Sequence, residues 1–220
     1  MSAWPLYVFD AYGTLFDVHS AVARHRALVG AEAERLSDIW RTKQLEYTWV
    51  RSLMGAHRDF LALTEEALDF AAARCGGISA EAREKLLSAY RTLDAFPDVA
   101  PTLRALKEKG ARLVILSNGT PEMLASAVQS AGLGDLLDES LSVESVGVFK
   151  TELRVYELVE KRYGLAPRNV SFQSSNRWDV AGAAKFGFRA VWINRGGAPD
   201  EYRDLGPAAV LNGLAGLADP

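Results

Sequence analysis

Between residues 18 and 96 this chain carries no strand signal, whereas short apolar runs at 6–9, 112–116, 141–143, 170–173 and 190–193 punctuate the rest. Those runs alternate with amphipathic stretches, a pattern that argues for βαβ units and a parallel sheet. The strand-free interval reads as helices over roughly 19–29, 34–54, 59–74 and 79–92. In the second of these, Leu36, Trp40, Tyr47, Val50 and Met54 recur at helical spacing, a face expected to be buried.

The fold class that follows is α/β: a Rossmann-like parallel sheet core with an inserted helical cap domain. The expected boundaries are 1–17 and 97–220 for the core and 18–96 for the cap, the chain leaving near Asp17 and returning near Pro97-Asp98. Local punctuation agrees. Thr120-Pro121-Glu122 supplies an N-cap oxygen, a proline at the first helical position and an acid in the first turn. Lys107-Glu108-Lys109-Gly110 ends the preceding helix with cations and a glycine. The loop at 196–200 is glycine-rich, and the tail beyond Leu214 is expected to fray.

Composition narrows the class. A length of 220 residues with 49% hydrophobic and 24% charged residues suits an ordinary globular protein. The net charge of −3 gives no reason to expect a nucleic-acid surface. No apolar run approaches the roughly 20 residues of a membrane helix, and the first residues lack the pattern of a signal peptide, so no membrane partner and a cytoplasmic location are expected. Cys75 stands alone, which leaves neither a disulfide framework nor a cysteine metal site; it is read as core filler within a helix. His19, His25 and His57 have no ligand spacing.

Chemistry concentrates at the ends of the apolar runs. The first ends at Asp10 and is followed by Gly13-Thr14, which delivers a carboxylate to the C-terminal edge of the sheet, where ligands of open α/β sheets bind. The second ends in Ser117-Asn118-Gly119-Thr120, a loop carries Lys150, and a further run ends in Ser174-Ser175-Asn176-Arg177-Trp178-Asp179. Four such segments in this order resemble the motifs of the haloacid dehalogenase superfamily, whose nucleophile is an aspartate at the place of Asp10. Phosphatases of that superfamily carry a second aspartate two residues on, where this chain has Tyr12, and paired acids in the last motif, where only Asp179 is acidic. A magnesium site, which wants several hard oxygens, is therefore poorly supplied, and neither metal nor other cofactor is expected.

The stretches 9–20, 40–49 and 154–158, together with 186–188 and 191–195, resemble the L-2-haloacid dehalogenase branch, a likeness that covers almost the whole chain. That resemblance implies hydrolytic dehalogenation of short L-2-haloalkanoic acids to D-2-hydroxyalkanoic acids through an ester on Asp10. It implies that Arg41 and Asn118 receive the departing halide, and that Asp179 activates or positions the water that hydrolyses the ester. Ser174 and Asn176 would orient these groups. Lys150, Ser117 and backbone amides near Thr14 and Asn118 suit the substrate carboxylate, since an anionic nucleophile repels an anionic substrate. Tyr12, Leu45, Phe60 and Trp178 are candidates for the apolar wall, with Ala11 and Tyr156 completing the substrate contacts. A homodimer through apolar cap helices is implied as well. The competing readings are a phosphatase on the same scaffold and a catalytically silent binding protein.

The sequence departs from the pattern of that branch at four places. Thr42 follows Arg41 in place of glutamine, which bears on halide or alkyl contacts. Thr151-Glu152 replaces Pro-Asp, which loosens the loop that aims Lys150. Gln173 precedes Ser174 in place of a small apolar residue. Arg177 takes the slot of a small residue, where a cation either strengthens anion binding or points to solvent.

Overall fold

The computed structural model describes residues 3–218; Met1, Ser2, Asp219 and Pro220, at the ends of the expected core, lie outside the described residues. Strand β1 is Leu6–Phe9, buried along its whole length, as expected of a strand covered on both faces. Helices follow: α1 (Ser20–Arg24), α2 (Arg26–Val29), α3 (Ala33–Met54), α4 (Phe60–Arg74) and α5 (Ala80–Tyr90). The chain then alternates through α6 (Val99–Glu108), β2 (Arg112–Ser117), α7 (Pro121–Ser130), β3 (Glu139–Ser142) and α8 (Leu153–Tyr163). It closes with β4 (Val170–Ser174), α9 (Arg177–Phe186), β5 (Arg189–Ile193) and β6 (Ala209–Leu211).

The six strands among the described residues are parallel, in the order β3-β2-β1-β4-β5-β6. The order reverses at β1, so the crevice beyond the ends of β1 and β4 is the topological switch point. Phe9 pairs with Ile115 on one side and Gln173 on the other, which brings the ends of three strands level. The helical segment joins the sheet through two crossing strands of chain: Asp17 N–H donates to the Asp94 carbonyl at 2.8 Å and Phe96 N–H to the Leu15 carbonyl at 3.0 Å. Side-chain caps start several helices, with Asp59 accepting from Ala62, Ser79 from Ala82 and Thr120 from Met123.

Several expectations need correction. The helix expected over 19–29 breaks at His25 into α1 and α2. β3 begins two residues earlier than expected, and Val143 turns into a short 3-10 segment. β6 carried no recognisable signal: it has three residues, one parallel neighbour, and an exposed Val210. Cys75 is the C-cap of α4 and only half-buried. The buried stripe of α3 is Leu36, Trp40, Gln44 and Thr48, while Val50 and Met54 are exposed; past Trp40 two polar residues continue the stripe, where the expected face ran through Tyr47, Val50 and Met54. The tail does not fray at once: 214–217 form a 3-10 turn, Leu214 is buried, and its N–H donates to Asp98 Oδ2 at 2.7 Å. Arg195 grips the same Asp98 with both terminal nitrogens at 2.9 Å.

Candidate active site

Asp10 continues β1 by one residue, its N–H donating to the Gln173 carbonyl at 2.9 Å. Its carboxylate therefore leaves the sheet at the β1–β4 crevice, 5% exposed. A compact turn follows, in which the Ala11 carbonyl accepts from the N–H groups of Thr14, Leu15 and Phe16. This turn brings Thr14 back, so that its hydroxyl donates to Asp10 Oδ2 at 3.0 Å and accepts from Ser175 N–H at 2.8 Å. Ser174 Oγ and Asn176 Nδ2 donate to the same oxygen at 3.3 and 2.7 Å. Among the described residues Oδ1 has a single donor, the Lys150 ammonium at 3.0 Å. The two oxygens are thus unequal, and Oδ1 keeps more of its lone-pair capacity.

Lys150 also donates to Asp179 Oδ2 at 2.8 Å, with Lys150 and Asp179 side chains wholly buried. Burial by itself would lower the lysine, but Asp10 and Asp179 outweigh it and hold the ammonium above its ordinary range. Asp179 is pushed up to about 6, first by burial and then by Asp10, against the opposing pull of Lys150. Tyr156, buried among Phe172, Phe186 and Phe188, donates its hydroxyl to Asp179 Oδ1 at 2.7 Å. Tyr156 therefore stands behind Asp179. Helix α9 comes close enough for this contact because Gly182 has no side chain: a Cβ there would lie 2.5 Å from the Tyr156 hydroxyl.

The loop that aims Lys150 is held by cross-links that compensate for its lack of proline. Lys150 N–H donates to Asn118 Oδ1 at 3.0 Å, and Phe149 N–H to Ser52 Oγ at 3.1 Å. Asn118 thereby commits its carbonyl oxygen to the loop and leaves its NH₂ free of hydrogen bonds among the described residues. Ser117 Oγ accepts from Gly119 N–H at 3.1 Å. A cleft of about 310 Å³ lined by Trp49, Ser52, Phe149 and Thr151 reaches Lys150.

Arg41 joins the helical segment to the sheet edge. From α3 its Nη2 donates to the Tyr12 carbonyl at 3.1 Å and approaches Asn176 Oδ1 at 3.4 Å, while Nη1 donates to Gln44 Oε1 at 2.9 Å. Below it the Tyr12 ring is buried against Tyr90, at 5.7 Å and nearly parallel, and against Phe60 at 5.6 Å. Burial, reinforced by Tyr90, raises the Tyr12 phenol well above its ordinary range, and its hydroxyl has no hydrogen-bond partner among the described residues. Gly119 makes room for this ring, since a Cβ there would meet Tyr12 Cε2 at 2.7 Å.

Asp10, Lys150, Asp179, Thr14, Ser174, Asn176, Tyr12 and Arg41 are thus one contiguous cluster, with Asn118, Ser117 and Phe60 at its edges. Leu45 is half-buried on α3, and Trp178 packs edge-on against Trp49 at 5.4 Å; neither hydrogen-bonds the cluster through its side chain. Two of the sequence departures turn away from it. Thr42 is exposed, beside a surface groove with Ile39, Lys43 and Phe70. Arg177 follows neither expected course: it is 4% exposed and binds Asp200 Oδ1 at 2.7 Å and the Tyr202 carbonyl at 2.9 Å, which ties the 196–205 loop to the start of α9. Gln173 donates internally to Ser171. Sequence reasoning missed Gln44, Thr64 and Tyr90. The available signal was the spacing of four through Leu36, Trp40, Gln44 and Thr48. Among the described residues no three His, Cys, Asp or Glu side chains gather as a metal site, and the cation between the two carboxylates is Lys150.

Comparison with known proteins agrees with this geometry. The profile of the haloacid dehalogenase-like hydrolases matches residues 4–187. (S)-2-haloacid dehalogenase 4A of Burkholderia cepacia is 49% identical over 211 residues, 96% of this chain and 91% of its own. A dehalogenase crystal structure with an intermediate complex superposes with a TM-score of 0.95 at 45% identity, covering 99% of this chain and 96% of the other. The L-2-haloacid dehalogenase of Xanthobacter autotrophicus with chloropropionic acid covalently bound superposes at 0.88 and 35% identity, over 98% and 97% of the two chains. With a carboxylate just past the end of β1, a lysine that pairs with it and a helical segment bearing Arg41, the chain belongs to the haloacid dehalogenase-like hydrolases, in their (S)-2-haloacid dehalogenase branch.

Proposed function

We propose that the chain hydrolyses short L-2-haloalkanoic acids to D-2-hydroxyalkanoic acids and halide. The observation that carries the reading is the Lys150 ammonium, 3.0 Å from Asp10 and 2.8 Å from Asp179, at the switch point of a site with Tyr12 in place of a second acid. A departing halide needs no proton, so the absent acid is no loss.

Asp10 Oδ1 attacks C2 of the substrate from the side opposite the halogen. The C–O bond forms as the carbon–halogen bond breaks, and the halide leaves with the bonding pair. Thr14, Ser174 and Asn176 hold the other oxygen and fix the angle of attack. Arg41 and the free NH₂ of Asn118 meet the halide as its charge grows; each such preorganised donor is worth about 3 kcal/mol. Lys150 and Ser117 neutralise and bind the substrate carboxylate. Water then adds to the Asp10 carbonyl carbon, its proton passing to Asp179. Breakdown of the adduct expels the product alkoxide, which takes the remaining water proton from the new carboxyl group and so restores the Asp10 carboxylate, while Asp179 gives up its proton to solvent. A single backside displacement inverts C2.

In the same reading residues 18–96 serve as a cap over a core of 1–17 and 97–220, supported by the paired crossings at Asp17 and Phe96. Tyr12, Phe60, Leu45 and Trp178 enclose the alkyl group. The enzyme works in the cytoplasm as a homodimer, a state supported by Trp49, Val50, Leu53 and Met54, all exposed toward the end of α3. Among the described residues no helix is long and apolar enough to cross a membrane.

The test is halide release from L- and D-2-chloropropionate, each with EDTA, for the wild type and Asp10→Asn. Release from the L form alone, lost in the variant, is expected. Magnesium-dependent phosphate release without halide release would return the chain to the phosphatases.

A further inference from the structure

Arg41 is held without a counter-charge. On the same helix Arg35 pairs with Glu32 at 2.9 Å and Lys43 with Glu46 at 2.8 Å, each cation using an acid three residues away. Three residues beyond Arg41 stands Gln44, and among the described residues every side-chain hydrogen bond of Arg41 ends on a neutral oxygen: Gln44 Oε1, the Tyr12 carbonyl and Asn176 Oδ1. The amide is fully buried and its orientation is determined. Thr64 gives its proton to the Phe60 carbonyl at 2.7 Å, so its oxygen accepts from Gln44 Nε2, also at 2.7 Å. Gln44 Oε1 must then face the two donors on its other side, Arg41 Nη1 and the Tyr90 hydroxyl at 3.0 Å. A flipped amide would set acceptor against acceptor at Thr64 and donor against donor at Arg41.

We propose that Gln44 is a positioning residue for carbon–halogen cleavage: it fixes Arg41 through a neutral oxygen, so that the full guanidinium charge stays directed at the departing halide. A glutamate at 44 would match the cation geometrically and cancel it electrostatically. The inference rests on the reading of Arg41 given above. Its signature is dependence on the leaving group, because chloride, the poorest of the common leaving halides, needs most stabilisation.

The experiment measures single-turnover halide release and ester hydrolysis with L-2-chloro-, bromo- and iodopropionate for wild type, Gln44→Glu, Gln44→Met and Arg41→Met. In Gln44→Glu, chloride release should slow on the order of 100-fold, iodide release several-fold less, and ester hydrolysis should be unchanged. Gln44→Met, which removes the anchor without adding charge and so covers the case of a misfolded glutamate variant, should change the halide dependence in the same direction by a smaller factor. Equal slowing of all three halides in the folded Gln44 variants, with Arg41→Met still selective against chloride, would overturn the proposal for Gln44 alone. An Arg41→Met variant with unaltered halide dependence would instead overturn the role of Arg41. Absence of halide release from the wild type would overturn the dehalogenase reading itself.

Discussion

The two polar clusters of this molecule are built on opposite electrostatic plans. At the sheet edge, the Lys150 ammonium lies within 3.0 Å of both Asp10 and Asp179 in a buried chain of alternating charge. Under the helices, Arg41, Gln44, Thr64 and Tyr90 form a chain of similar depth in which one member alone is charged. Paired charges fix position at the cost of cancelling their fields, and neutral dipoles fix position while leaving a field intact. The first plan suits a nucleophile that must be aimed, the second a cation that must act on something arriving.

Four changes would break or sharpen that contrast. The largest effect is expected from Asp10→Asn, which should reduce halide release by about 10⁴-fold or more while Lys150 keeps its pairing with Asp179 and the fold survives; rates and urea unfolding of the same sample check both halves. Lys150→Met should cost about 3–5 kcal/mol of stability, because it leaves two carboxylates buried without their cation, a loss read from the midpoint of urea denaturation at neutral pH.

A smaller and more diagnostic effect concerns pH. In the proposed mechanism Asp179 must be ionised to accept the water's proton, and it is pushed up to about 6, so ester hydrolysis should fall tenfold per unit as pH drops below that value. The Tyr156 hydroxyl stabilises the ionised form, so Tyr156→Phe should move the acid limb to higher pH by about one unit; an unmoved or acid-shifted limb would remove Tyr156 from the positioning of Asp179. The smallest change is Gly182→Ala. Its new methyl meets the same hydroxyl and should cost about 1–3 kcal/mol, with the limb shifted in the same direction. A thermal melt alongside the pH profile separates the two consequences.

The contrast also explains what the sequence revealed. Asp10, Ser117 and Ser174 end apolar strands, and Lys150 and Asp179 lie in adjoining loop and helix, so short-range pattern and motif order were enough to bring them together. β1 matched its expected bounds for the same reason. The helical cluster was opaque because periodicity assigns polar residues to solvent, whereas Gln44 and Thr48 are buried on α3. What makes Gln44 acceptable inside is a partner 20 residues away in α4 and another 46 away in α5, a satisfaction no local window contains. β6 was missed for the opposite reason: three residues with one neighbour bury too little to leave a pattern.

Helix α9 carries one further consequence. Asn176, at its N-cap, grips Asp10, and Asp179, in its first turn, sits against Lys150 and Tyr156. In the proposed mechanism attack on carbon and attack by water are therefore adjusted by one helix, and a rotation that improves one partner's angle alters the other's. Arg177 lies between them and is moored to Asp200 and Tyr202. The peripheral loop thus sets a common zero for both steps, and evolution of a faster enzyme on this scaffold would have to shift the two rates together through that mooring or separate them through side chains alone.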